Sequence, residues 1–324
     1  MIKAASRGDL KTVQERIAAG ADVNAAAKKN APALFYAVES GNLEVVQALI
    51  AAGADVNCIA LPNGIGLMSS PLCLAIEEHH PEIVRCLIEA GADLSLEIRA
   101  DQNAVGAAAE AACKFYTKYV TEEEPWLGKA KPGDSAALAK TKCEHWMQLI
   151  REGVSRGIKV HPYSLWDAVN RSFNELALLL LSAGANPDTA PHGTTVLTRA
   201  IEHGNGEMVV ALLNAGARTN PPSGPVPLLA AAKHGQLSQV TALLDAGADI
   251  NATGNIQINE DAENHMAEAS TALIIAARLG NVPLVKLLMK HGANVNVRDK
   301  QELKALQWAV RLEHKEIMEI LQKP

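Results

Sequence analysis

A six-residue phrase that returns along the chain restricts its architecture more than any other feature. The hexamer AGADVN stands at Ala19–Asn24 and again at Ala52–Asn57. Variants follow as AGADLS from Ala90, AGANPD from Ala183, AGARTN from Ala215, AGADIN from Ala246 and HGANVN from His291. The central glycines are Gly20, Gly53, Gly91, Gly184, Gly216, Gly247 and Gly292, and Gly153 of REGVS reads as a degenerate member in the widest gap. Successive spacings are then 33, 38, 62, 31, 32, 31 and 45. A base period near 32 with three insertions belongs to a repeat array, in which each unit covers the next.

The residues around each glycine give the unit its content. Upstream lies an apolar helix such as LEVVQALI (Leu43–Ile50) or VPLVKLLM (Val282–Met289), with apolar positions at i, i+3, i+4 and i+7. The glycine just past its end suits a left-handed C-terminal turn, and the Asp and Asn that follow suit side-chain to backbone bonds. A shorter helix precedes each of these, as in PALFYAVESGN, VPLLAAAKHGQ and TALIIAARLGN. Ala and Leu dominate the 48% hydrophobic content while aromatics reach only 3%, a mixture that lets helices approach closely. Ordering one unit costs roughly 1–2 kcal/mol per residue. Its few aliphatic side chains return about 1.5–3 kcal/mol apiece, so a single unit requires neighbours.

These units resemble ankyrin repeats, whose consensus runs T-P-L-H-x-A-A-x-x-G, an aliphatic helix, then G-A-D-V-N. Thr195–Gly204 (TVLTRAIEHG), Thr271–Gly280 and Ser70–His79 (SPLCLAIEEH) match the first half with substitutions. The resemblance extends over nearly the whole chain as roughly nine units. It implies an all-α solenoid of stacked helix pairs forming one array over residues 1–324, with caps at about 1–24 and 297–324. It also implies a non-catalytic module that binds another protein, as an adaptor or a stoichiometric inhibitor. The resemblance leaves open a secreted bacterial effector acting on a host protein.

The insertions mark where this chain departs from the pattern. Two are enlarged inter-unit fingers, at about 58–69 and 252–270, and the NIQIN alternation in the second predicts a short hairpin. The third, at about 96–153, lies inside the fourth unit and reads as two overlong helices joined by the polar loop TEEEPWLGKAKPGDS. Eight of the eleven aromatics fall between residues 115 and 173. Tyr116, Tyr119 and Trp126 are candidate partner contacts, because aromatics hide much area at low entropic cost. Phe115, Trp146, Trp166 and Phe173 fit internal packing of the long helices better. A second candidate surface follows from the resemblance, which implies that the two residues before the glycine of each first helix face a concave groove. In this chain those positions include Glu39, Glu77, Glu78, Arg171, Lys233, Arg278 and Arg311. Tyr36, Arg199 and Trp308 lie three residues before such pairs and extend the lining. Acid in the early units and mostly base in the later ones would orient an incoming partner.

Other function classes fare less well. Net charge is −6, and no Lys/Arg run exceeds two residues, which argues against nucleic-acid binding. No stretch approaches eighteen uninterrupted apolar residues, and Met1–Leu10 has no apolar signal core, so a soluble cytoplasmic protein is expected, and capped ends argue for a monomer. Five cysteines without a C-x-x-C pair suit a reducing compartment. No phosphate-binding glycine loop, zinc-protease motif or nucleophile elbow occurs, so no cofactor and no metal are expected. The competing enzyme reading needs a pocket with convergent titratable groups in the fourth-unit insertion.

Overall fold

The computed structural model describes residues 1–26, 31–60, 69–96, 103–123, 136–191, 193–260 and 263–322. They divide into two compact units, Met1–Ser164 and Leu165–Pro324. The first holds α1 (Ile2–Ala5), α2 (Leu10–Ala18), α3 (Ala33–Glu39), α4 (Leu43–Ala51), α5 (Pro71–Glu77), α6 (Pro81–Glu89), α7 (Ala104–Glu123) and α8 (Ala136–Ser155). First helices α1, α3, α5 and α7 stack in one row, and second helices α2, α4, α6 and α8 stack in another.

The second unit carries α9 (Ser164–Asn170), α10 (Asn174–Ser182), α11 (Val196–Glu202), α12 (Gly206–Asn214), α13 (Pro227–Lys233) and α14 (Leu237–Asp245). Strands β1 (Gly254–Glu260) and β2 (Glu263–Ser270) come next, then α15 (Ala272–Arg278), α16 (Val282–Lys290), α17 (Ala305–Arg311) and α18 (Lys315–Gln322). Here α11, α13, α15 and α17 form the first-helix row, and α10, α12, α14, α16 and α18 the second. The helical array is thus the observed architecture in each unit, with one small two-stranded sheet among the described residues.

Local chemistry starts and stops these helices. Ser70, Thr195 and Thr271 accept a backbone N–H at the start of α5, α11 and α15, and Asn42, Asn205 and Asn281 do so for α4, α12 and α16. At the end of α4, Gly53 turns to φ +88°, so its N–H reaches Ile50 O at 3.0 Å and Ala54 N–H reaches Leu49 O at 3.0 Å. That closes the last orphan carbonyls.

The glycine assigned to the wide gap needs correction. Gly153 lies within α8, not after it, and the residue in the left-handed turn is Gly157, at φ +74° with its N–H on Val154 O. Gly153 is required for another reason: a Cβ there would fall inside the Val105 side chain of α7. Its absence lets the two 20-residue helices pack close.

The fourth pair is therefore a lengthened unit. α7 packs on α5, and α8 packs on α6, as any neighbouring pair would. Phe115, Trp146, Met147 and Ile150 are buried among its small residues, and Phe173 is buried in the second unit, so these aromatics serve packing. His79, at the end of α5, sets its ring edge-on to Phe115 with centroids 4.7 Å apart.

The Asn of the repeated hexamer couples units. Asn24 donates its side-chain amide to Gly53 O at 3.1 Å and accepts Asp55 N–H at 2.9 Å. Asn57 repeats this on Gly91 and Asp93, and Asn220 on Gly247 and Asp249. Each clamp satisfies backbone groups of the next turn.

Where first helices end, Gly41, Gly204, Gly235 and Gly280 have positive φ, but His79, Ser172 and Glu313 hold the same conformation at +57° to +63°. A side chain in that region costs roughly 1–2 kcal/mol. Glu313→Gly is expected to raise stability by about 1 kcal/mol. Gly153→Ala is expected to lower it by about 1–3 kcal/mol through overpacking. Urea unfolding of the full chain reads both, and a neutral Gly153→Ala would show that α7 and α8 can part without cost.

Candidate protein-interaction surface

First helices end in side chains that line up from one repeat to the next, because each pair repeats the last in register. In the first unit the row carries Glu39 and Glu77, followed by Glu78, all exposed, while Tyr36 is half-buried one turn earlier. Tyr116 on α7 is half-buried. Tyr119 is on the same helix, but its side chain is outside the described set, and Trp126 lies outside the described residues.

The second unit changes sign along the equivalent row, which reads Asn170, Glu202, Lys233, Arg278 and Arg311. Arg199 organises its beginning. Its Nε donates to Asn170 Oδ1 at 2.7 Å, its Nη1 pairs with Glu202 at 3.0 Å, and its guanidinium lies 6.0 Å from the Trp166 ring. These contacts hold a long cation in one orientation and tie α9 to α11. Arg171 is exposed beside them. His203 meets Ser172 Oγ at 3.2 Å.

At the far end, two guanidinium groups lie over the Trp308 ring. Arg278 stacks 4.1 Å from its ring centroid and Arg311 5.2 Å, and the indole Nε1–H donates to Asp299 at 2.6 Å. Asp299 also accepts the backbone N–H groups of Gln301 and Leu303. Trp308 and Arg278 are each only 4% exposed, so they form the wall of this row, and Arg311 is its accessible cation. A guanidinium desolvated over an indole gains from the ring quadrupole, which offsets part of the cost of burying Arg278. Asp299 and Trp166 were missed as members of this surface. Asp299 is nine residues from Trp308 and in no helix, so no periodicity links them.

Protonation chemistry is modest. Burial lowers the proton affinity of His79, which also feels Lys114 and Lys142, against the Ile76 carbonyl and Glu78 that favour its cation. Burial likewise lowers His203 and His234, with Arg199 and Lys233 respectively acting in the same direction. Burial and Asp55 push the Cys58 thiol up to about 12, so it is no nucleophile at neutral pH.

A cleft of about 180 Å³ beside α5 and α7 brings together Glu77, His79, Glu110 and Lys114. A second, of about 230 Å³, lies between α6 and α8 and is lined by Val84, Ile88, Trp146 and Leu149. Among the described residues no group of three or more His, Cys, Asp or Glu could hold a metal ion, and no helix is long and apolar enough to cross a membrane.

Comparison with known families agrees with this architecture. A family model described as ankyrin repeats matches in three copies, over residues 1–98, 165–254 and 255–324. No curated protein matches the chain.

Two outcomes follow from this geometry. Trp308→Phe leaves Asp299 with one donor fewer in a buried setting and is expected to cost about 1–3 kcal/mol in urea unfolding. The three lowered histidines make stability fall on acidification: below their ordinary value of 6.5 the unfolded chain binds protons that the folded chain resists. The unfolding midpoint should drop between pH 7.5 and 5.5, and His79→Asn, which tolerates the left-handed turn, should flatten that drop.

Proposed function

The chain belongs to the ankyrin-repeat family, and we propose that it is a non-catalytic binding module, an adaptor or a stoichiometric inhibitor, that holds a protein partner along its first-helix row. Ankyrin repeats are protein–protein interaction modules, and a row of rigid helix ends suits that work. Charged side chains are presented on elements whose backbone is already ordered, so binding loses little conformational entropy.

The observation that carries the reading is the ordered set of charged helix ends along the second unit's row, Arg171, Glu202, Lys233 and Arg311, with Arg199 fixed between Asn170 and Glu202. A partner with the opposite order of charges meets attraction in one orientation and repulsion in the other, which selects direction as well as identity. Glu39, Glu77 and Glu78 supply an acidic counterpart in the first unit. Tyr36, Arg171, Tyr116, Tyr119 and Trp126 are proposed as further contacts, the last three on or beside the lengthened helix pair. The proposed setting is the cytoplasm, where cysteines remain thiols, and the proposed working form is a monomer.

Capture from a lysate by the full chain tests the row. Lys233→Glu/Arg311→Glu and Glu39→Lys/Glu77→Lys lie mostly on solvated positions and should leave folding intact by circular dichroism. At least one captured protein should be lost from each, with affinity for that protein down by about tenfold or more and falling further with salt. A chain lacking residues 121–135 should lose a contact of its own if Trp126 takes part. Identical capture by all forms would remove both surfaces from the proposal.

A further inference from the structure

The Asn clamps between fingers act on one recurring pair of backbone groups. Asn24 takes the carbonyl of Gly53 and the N–H of Asp55, Asn57 takes those of Gly91 and Asp93, and Asn220 those of Gly247 and Asp249. Each pair belongs to the turn after a second helix. There the glycine N–H bonds to the carbonyl three residues back, and the next N–H to the carbonyl five residues back. The turn after α8 is built in the same way. Gly157, at φ +74°, bonds through its N–H to Val154 O at 2.9 Å, and Ile158 N–H meets Gly153 O at 3.0 Å. Its corresponding pair is the carbonyl of Gly157 and the N–H of Lys159.

Among the described residues no Asn takes this pair. The position that carries Asn24 and Asn57 in the first two fingers, four residues after the glycine, holds Ser95 in the third. A serine has one polar side-chain atom on a single carbon. In Ser95 it is engaged within its own turn, where Oγ donates to Asp93 Oδ1 at 2.7 Å. Among the described residues nothing donates to Gly157 O and nothing accepts from Lys159 N–H. A cleft of about 500 Å³ lies between the two fingers, lined by Asp93, Ser95, Asn103, Arg156, Gly157 and Lys159. Ser95, Gly157 and Lys159 are exposed. Asn103, only 4% exposed, steadies the turn: it caps α7 by accepting Gly106 N–H at 3.0 Å and donates to Lys159 O at 2.7 Å.

We propose that this cleft is a docking site for an asparagine side chain of a partner protein. Its carboxamide donates to Gly157 O and accepts from Lys159 N–H, as the chain's own Asn residues do at the other fingers. The pair requires a donor and an acceptor side by side, and a primary amide carries both on one group. A carboxylate has no proton for Gly157 O, and a hydroxyl is a single atom. Arg156 is paired with Glu152, and Asp93 offsets Lys159 on the rim, so charge does not select an anion. The receiving groups are backbone already set by the turn, so binding orders little of this chain. This inference rests on the reading of the chain as a protein-binding module, and it assigns a contact that needs no residue of the charge row.

The test uses the intact, isotope-labelled chain and the peptide acetyl-Gly-Asn-Gly-amide at millimolar concentration, read by nuclear magnetic resonance. In the unaltered chain the Lys159 amide should exchange freely with solvent, and its resonance should shift saturably as the peptide is added. Peptides carrying Asp, or Asn with its side-chain amide dimethylated, keep the acceptor and lose the donor. Each should bind about fivefold more weakly. Ser95→Asn supplies the carboxamide from within the chain. That variant should slow exchange at Lys159 about tenfold and should no longer respond to the peptide. Slow exchange at Lys159 in the unaltered chain would overturn the proposal, because the pair would already be held. No response at Lys159, or tighter binding of the Asp peptide, would do so as well, the latter by marking an anion site. A folded Ser95→Asn chain whose exchange or peptide response is unchanged would equally end it, and if that variant does not fold the peptide series still decides. The titration involves neither the row nor a partner protein, so its failure leaves the capture experiment standing, and identical capture by the charge-reversed chains leaves the titration standing.

Discussion

A helix pair of this chain has two apolar flanks, and only another pair can cover both. Leu34, Phe35 and Val38 of α3 are buried to within 1% because α1 and α5 close on either side, and Leu228, Leu229 and Ala231 of α13 are buried between α11 and α15. The Asn clamps add direction to this burial. Asn24 and Asn57 each bind a carbonyl and an N–H in the following turn, so a neighbour must arrive in one register to satisfy them. Burial alone would tolerate sliding; hydrogen bonds to the backbone do not, since a displaced turn leaves polar groups without partners.

That constraint explains why so much was legible from residue order. Helix pairs and their glycine stops follow from local chemistry repeated at a fixed period, and repetition makes weak signals add, while the alternation of Asn255–Asn259 marks one strand of the hairpin. Contacts between positions unrelated by the period stayed hidden. Gly153 looked like a repeat glycine because REGVS resembles a helix end, whereas its purpose is to spare Val105 a clash across a helix pair. Register assigns Arg278 and Trp308 to the first helices α15 and α17. What it cannot supply is that the Arg278 guanidinium lies over the Trp308 ring and that Asp299 accepts the indole N–H, with both Arg278 and Trp308 buried.

The proposed interaction surface follows the same division. Glu39, Glu77, Lys233 and Arg311 occupy equivalent positions by sequence; the stacking of first helices sets Glu39 and Glu77 on adjacent helices, while α15 stands between Lys233 and Arg311. Their energetic weight comes from what the scaffold does to them. Arg199, held by Asn170 and Glu202 beside Trp166, gives up less freedom on binding than a solvated arginine. Arg311 is exposed, yet its guanidinium lies over the Trp308 ring, 5.2 Å from the centroid, which gives this cation a preferred position.

Because a repeat touches only its neighbours, an elaboration in one unit need not disturb the rest. The lengthened α7–α8 pair keeps the contacts with α5 and α6 that a short pair would make, and it spends its additional length on a hydrophobic interior of its own. The β1–β2 ribbon likewise keeps its base in the place of an ordinary finger, with Gly254 against Val226 and Lys300 bonded to Glu268, and extends beyond it. Both departures thus keep the helix-row packing of the repeats and add surface that the period does not dictate. Selectivity for a particular partner can accumulate at such places without loss of the fold, because the interactions that order the array are made elsewhere.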